Sequence, residues 1–175
     1  MSETIEIRLV SFLTDLGWMG LALRGGVVQR LKFGHPSEPQ LIHSFAGEFE
    51  SDFKLAKADR QVSKWRTALQ RFASGRKQDL SSIAIDLESH SPFHRKVLKL
   101  CRNIGYGDTI TYGQLAGKAG SPNAARAVGT AMKRNRVPLI VPCHRVIASN
   151  GVGGYSAVEG VSSKVKLLKL EGVQF

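Results

Sequence analysis

Cysteine is scarce in this chain: Cys101 and Cys143 are the only two in 175 residues. Two cysteines build neither a disulfide framework nor a cysteine-rich zinc site, so both thiols are expected to be free, in a reducing compartment. No apolar run approaches the ~20 residues that span a bilayer. The opening Met1-Ser2-Glu3-Thr4-Ile5-Glu6 lacks the basic and then apolar pattern of a leader peptide. A cytoplasmic protein is expected, or a nuclear one if the source is eukaryotic, with no membrane contact. Acidic residues are scarce in one half only. Residues 91–175 carry 13 Lys/Arg against three acids, Asp108, Glu159 and Glu171, whereas residues 1–90 carry 12 against 11. The net charge of +11 therefore divides into +10 and +1. This split fits a polyanion-binding half joined to a neutral half, and by charge alone it fits a solvated basic face equally well.

What is present in the first half reads as mixed α/β scaffold. Ile5, Ile7 and Leu9 alternate with Thr4, Glu6 and Arg8, the period of a half-buried strand. Gly17–Arg24 and Val27–Phe33 flank Gly25-Gly26, the signature of a hairpin with a tight turn. Residues 35–58 look irregular, with Pro36 and Pro39 interrupting any long element. Val62, Trp65, Leu69 and Phe72 recur at helical spacing before Gly75. Ile83, Ile85 and Leu87 alternate as a further strand, and Glu88-Ser89-His90 is the expected linker.

The second half changes to helices and loops. Ser91-Pro92 caps a helix whose stripe is Phe93, Val97, Cys101 and Ile104, ended by Gly105. Thr111-Tyr112-Gly113-Gln114 has the form of a capping box. After the Gly120–Asn123 turn, Ala124–Arg134 is small and apolar on one side, with Arg126, Thr130, Lys133 and Arg134 on the other. Two short helices with basic residues on the second outline a helix-turn-helix. Close helix–helix packing explains the small residues Ala125, Ala127 and Gly129 as readily as close approach to a ligand does.

The sharpest segment is Asn135–Val146. Pro142 has no amide hydrogen and restricts Val141 to an extended shape, so the apolar run turns there and presents Cys143. His144 and Arg145 follow, electropositive neighbours expected to favour the thiolate. Cys101, on a helical apolar stripe, reads as a buried small hydrophobe. Taken alone, these residues give a reactive cysteine of unknown use.

Pro142-Cys143-His144-Arg145-Val146, the upstream Asn135 and Arg126-Ala127-Val128-Gly129 together resemble the methylated-DNA–protein-cysteine methyltransferases, the 6-O-alkylguanine-DNA alkyltransferases. The resemblance runs from Pro92-Phe93 through Tyr106-Gly107-Asp108, Thr111–Ala116 and Gly153–Ser156 to Lys166–Glu171, about half the chain. It implies an α/β fold: a ribonuclease H-like α/β scaffold domain over residues 1–88, packed on a mostly helical DNA-binding and alkyl-transfer domain over 91–175 with a winged helix-turn-helix. It implies direct, irreversible repair, in which the alkyl group of 6-O-alkylguanine in double-stranded DNA passes to Cys143 once per molecule. 4-O-alkylthymine is a second candidate substrate. No cofactor is implied, and the protein is expected to be a monomer off DNA.

Roles carry over by position. Cys143 matches the acceptor, His144 the base that takes the thiol proton through a water, Glu171 the carboxylate that orients and charges the histidine, and Asn135 a brace for the turn. Arg126 matches an arginine that fills the gap left by a flipped base, and Tyr112 a tyrosine that helps rotate the nucleotide out. Tyr155, Ser156 and Val146 match the base pocket. Ala125, Ala127 and Gly129 match the close-fitting minor-groove face, with Lys133, Arg134 and Arg136 as phosphate contacts. Some relatives hold a metal in the first half; with no cysteine before Cys101, no metal site is expected here. Ala157-Val158-Glu159-Gly160 replaces a commoner glycine-rich stretch, Arg136 a common proline, and Lys96 and Lys99 a common Gln and Trp. Two other readings compete with this one. Lesion sensors that resemble this family lack the acceptor cysteine, which Cys143 opposes. A cysteine hydrolase or a helix-turn-helix regulator leaves the joint occurrence of Arg126, Asn135, Cys143-His144 and Glu171 unexplained.

Overall fold

The structure is a computed structural model and describes residues 6–49 and 53–174. The chain divides into two compact units, residues 1–86 and 87–175. In the first, strands β1 (Ile7–Thr14), β2 (Gly17–Arg24) and β3 (Val27–His35) form an antiparallel meander, and β4 (Phe53–Leu55) adds parallel to β1. The sheet order is β3-β2-β1-β4. Thr4 and Ile5 of the expected first strand lie outside the described residues. Gly25 and Gly26, at φ 57° and 79°, make the expected turn between β2 and β3. Ile7 and Leu9 share a face of β1 and pack with Leu41 of α1 (Glu38–Ser44) and with its C-cap residue Phe45. Val10 and Phe12 point to the other face and are also buried. Helix α2 (Arg60–Ala73) packs on β1, with Val62, Trp65, Leu69 and Phe72 buried.

Two expectations change. The stretch after Pro36 contains α1 and β4. Ser37 caps α1 and Pro39 occupies its first turn, where a missing amide hydrogen costs nothing. The alternation at Ile83–Leu87 yields one bridge, Val28 to Ile85, made by Val28 N–H to Ala84 O (2.9 Å) and Asp86 N–H to Val28 O (3.1 Å). Leu80, Ile83 and Leu87 are buried as anchors of a turn and do not extend a ladder.

The second unit is mostly helical. Helix α3 (Pro92–Arg102) starts at its Ser91 cap and buries Val97, Leu98 and Cys101. The short strand β5 (Ile110–Thr111) leads into α4 (Tyr112–Lys118), where Thr111 and Gln114 close the expected reciprocal capping box. Helix α5 (Ala125–Lys133) packs on α4 and α3 through Val128 and Ala131. A 3₁₀ turn, Cys143–Arg145, runs into β6 (Val146–Ile147), which pairs with β5; α6 (Val161–Leu170) packs against that turn. The α/β class holds, with a mixed sheet and helices first and helices second. Among the described residues no helix is long and apolar enough to cross a membrane.

Candidate active site

The loop from α5 to β6 presents Cys143 under tight local control. Pro142, at φ −79° and ψ 65°, forms an inverse γ-turn closed by Cys143 N–H to Val141 O at 2.8 Å. Asn135 braces both ends of the loop: its Oδ1 accepts from Val137 N–H (3.1 Å), and its Nδ2 donates to Val141 O (2.8 Å) and to Cys143 Sγ (3.1 Å). Between these points Leu139 is buried at φ 71°, a left-handed conformation that side chains rarely adopt. The brace expected of Asn135 is therefore a direct contact to the sulfur as well as to the chain.

Behind the thiol, Glu171 at the end of α6 gathers residues distant in sequence. His144 Nε2 lies 2.7 Å from its Oε1, with both side chains fully buried. Arg145 grips the same carboxylate as a fork, Nε to Oε2 at 2.9 Å and Nη2 to Oε1 at 2.9 Å. Its Nη1 donates to Ile104 O, and Gly107 N–H donates to Glu171 Oε2 at 2.9 Å. Burial pushes the Glu171 carboxyl up, but the hydrogen bonds from His144 and Arg145 outweigh it and hold the group at about 2. Burial pushes His144 below the ordinary histidine value, and the bond to Glu171 restores only part of that. An ionised Glu171 can only accept, so neutral His144 donates from Nε2 and carries its lone pair on Nδ1.

The thiol departs from the expectation of a favoured thiolate. Burial pushes Cys143 above the ordinary thiol value, and Asn135, the Tyr155 hydroxyl and the Lys164 charge pull it back only in part. Arg145 neutralises Glu171 and His144 is neutral, so neither sequence neighbour offers the sulfur a free cation.

Cys143 opens into a pocket of about 600 Å³ lined also by Tyr112, Gly129, Lys133, Tyr155 and Ser156. Five of the residues expected to bind DNA or its base therefore line one cavity. Gly153, at φ 76°, lets the chain pass the Tyr112 ring: a Cβ there would stand 3.1 Å from it. The Tyr155 hydroxyl is buried and closes no hydrogen bond of good geometry among the described residues. Val146 is buried in β6, outside the pocket lining, and its carbonyl accepts from Lys164 Nζ at 2.6 Å. Arg126, Lys133 and Arg134 are exposed, whereas Ala125, Ala127 and Gly129 are half-buried; a Cβ on Gly129 meets nothing within 4 Å. Arg136, expected at a phosphate, donates to Ser89 Oγ at 3.0 Å.

Lys164 escaped the sequence reading. It is fully buried, and its ammonium reaches Val146 O, Gly154 O (3.1 Å) and the Tyr112 hydroxyl (3.4 Å), 5.5 Å from the centre of the Tyr112 ring. Burial lowers it to about 8. The available signal was periodicity: Lys164, Leu167, Leu168 and Glu171 form one helical stripe, and all four are buried.

Comparison with known proteins places this geometry. A family profile for the DNA-binding domain of 6-O-methylguanine DNA methyltransferase matches residues 92–173. The chain is 33% identical over 168 residues to the methylated-DNA–protein-cysteine methyltransferase of Metallosphaera sedula, covering 95% of this chain and 94% of that protein. It is 34% identical over 160 residues to the Thermococcus kodakarensis protein of the same name, covering 90% of each. Among solved structures, Mycobacterium tuberculosis OGT in complex with DNA matches with a TM-score of 0.75 at 30% identity, over 94% of this chain and 92% of that one. The O6-methylguanine-DNA methyltransferase of Pyrococcus kodakaraensis strain KOD1 matches with a TM-score of 0.74 at 32% identity, over 94% and 99%. Similarity of this extent covers the first half as well as the cysteine half, and the chain belongs to the methylated-DNA–protein-cysteine methyltransferase family.

Proposed function

We propose that this chain repairs DNA by accepting the alkyl group of 6-O-alkylguanine on Cys143 Sγ, irreversibly and once per molecule. The observation that carries the reading is the cysteine at the pocket wall, bonded by Asn135 at 3.1 Å and backed by the His144–Glu171 contact at 2.7 Å. His144 takes the thiol proton through a water. The S–C bond then forms as the C–O6 bond breaks, the electron pair stays on the guanine oxygen, and the guanine regains a proton. The product is a thioether, which no second thiol can reverse by exchange, so turnover stops at one.

Residues 91–175 act as the DNA-binding and alkyl-transfer domain, and residues 1–88 as its scaffold. The reacting oxygen lies inside the duplex, so the nucleotide must leave the stack at a cost of a few kcal/mol. Exposed Arg126 fills the gap, and the Tyr112 hydroxyl helps turn the nucleotide. Tyr155, Ser156 and main-chain groups beside Val146 hold the base. Ala125, Ala127 and Gly129 let α5 sit closely in the minor groove, while Lys133 and Arg134 meet phosphates.

Incubation with 6-O-methylguanine duplex, followed by intact and peptide mass measurement, tests the reading: one methyl is expected on the Cys143 peptide. Tight lesion binding without mass gain overturns it in favour of a sensor. Cys143→Ala should abolish transfer and keep DNA binding. Arg126→Ala should slow repair in duplex more than reaction with free alkylguanine; equal losses on both remove its assigned role.

A further inference from the structure

Glu171 serves two basic partners at once. His144 takes one oxygen at 2.7 Å, while Arg145 takes both through its fork and anchors its remaining arm on Ile104 O. The guanidinium also lies 5.8 Å from the centre of the Tyr106 ring, whose hydroxyl donates to Leu170 O at 3.1 Å. The fork is thus fixed from three sides. The charged groups that act on His144 are Glu171 at the cap of α6, Lys164 from α6 and Arg145 from its own turn. Cys101 from α3 faces Cys143, Arg145 and Lys164, and Tyr106 from the loop after α3 faces Glu171 and Arg145.

Charge counting in this buried site is decisive. Arginine stays ionised at every accessible pH, so Arg145 alone neutralises Glu171. A protonated His144 would add a third cation, after Arg145 and Lys164, against a single buried carboxylate, and uncompensated buried charge is strongly disfavoured. Without Arg145, Glu171 would instead be free to stabilise an imidazolium, which has no lone pair with which to take a proton.

Building on the alkyl-transfer reading, we propose that Arg145 is a positioning residue: its fork on Glu171 keeps His144 as the neutral Nε2–H tautomer able to accept the Cys143 proton. When the proton moves, the new imidazolium faces the new thiolate and the site remains balanced.

The test is the pH dependence of single-turnover methyl transfer for the native chain, Arg145→Gln and Arg145→Lys, with nitrogen NMR of His144 in the native protein. At pH 7 the native spectrum should show a neutral ring protonated at Nε2. Arg145→Gln should move the acid limb of the rate profile up by about one to three pH units, and Arg145→Lys should bring most of that shift back. An imidazolium in the native spectrum at pH 7 overturns the proposal. So does an Arg145→Gln protein that folds and binds DNA, reacts more slowly, and keeps its acid limb in place. If Arg145→Gln does not fold, the native spectrum and the Arg145→Lys profile decide. A neutral ring with the Arg145→Lys limb near its native place supports the proposal; an imidazolium, or a limb moved by the full shift of about one to three pH units, overturns it. Absence of methyl transfer in the native chain would instead overturn the alkyl-transfer reading itself.

Discussion

Asn135 does through one amide what a longer loop would need several contacts to do. It meets the chain at Val137 and Val141 and the sulfur of Cys143. Asn135→Ala should destabilise the protein by about 1–3 kcal/mol, because it strands a buried N–H and a carbonyl. It should also slow methyl transfer, as read by thermal melts alongside single-turnover rates. Glu171 gives a pH signature. Its folded value of about 2 lies below the ordinary 4.5, so its contribution to stability is complete above pH 4.5 and is lost as pH falls toward 2. His144, also depressed, begins a similar loss below its ordinary 6.5. The melting temperature should therefore fall on acidification, and Glu171→Gln should flatten the limb below pH 4.5. The Cys143-His144 pair was legible because the two residues are adjacent. The Arg145 fork and the Lys164 contacts were not, since both require α6 to return to the turn from 18 to 26 residues away.

At the scale of elements, α5 carries a helix-weakening glycine with open space beside it. Gly129→Ala should raise stability by up to ~1 kcal/mol through helix propensity. Gly129→Leu should leave the fold intact yet weaken DNA binding, because its side chain enters the surface proposed to lie against the groove; thermal melts and DNA titration separate the two effects. Helix α4 begins at Tyr112, so its cap sets a pocket wall. Thr111→Ala should cost about 1 kcal/mol and slow transfer. Elements with their own punctuation were readable in advance, as the Ser91-Pro92 start, the Thr111–Gln114 box and the Gly25-Gly26 turn show. Helix α1 was obscured because Pro39 looks like a breaker until its place in the first turn is known. The Ile83–Leu87 alternation promised a strand because period-two burial also arises where a turn drops alternate side chains into a core.

For the whole molecule, the charge asymmetry sets how binding responds to salt. Replacing Lys133 and Arg134 together with Gln should make the slope of log affinity against log salt shallower by about two, as each is proposed to meet a phosphate. Mutation of three exposed cations in the near-neutral first half should leave that slope unchanged. The division into two units follows the composition shift near residue 90.

A reagent consumed in one event is lost to every side reaction as surely as to its target. The Cys143 thiol is 5% exposed and held protonated by its surroundings, whereas peroxides and soluble electrophiles attack exposed thiolates. Burial and protonation should thus slow the loss of the sulfur to such reagents. The unreacted chain should therefore outlast, among soluble oxidants, a variant whose sulfur is exposed and ionised.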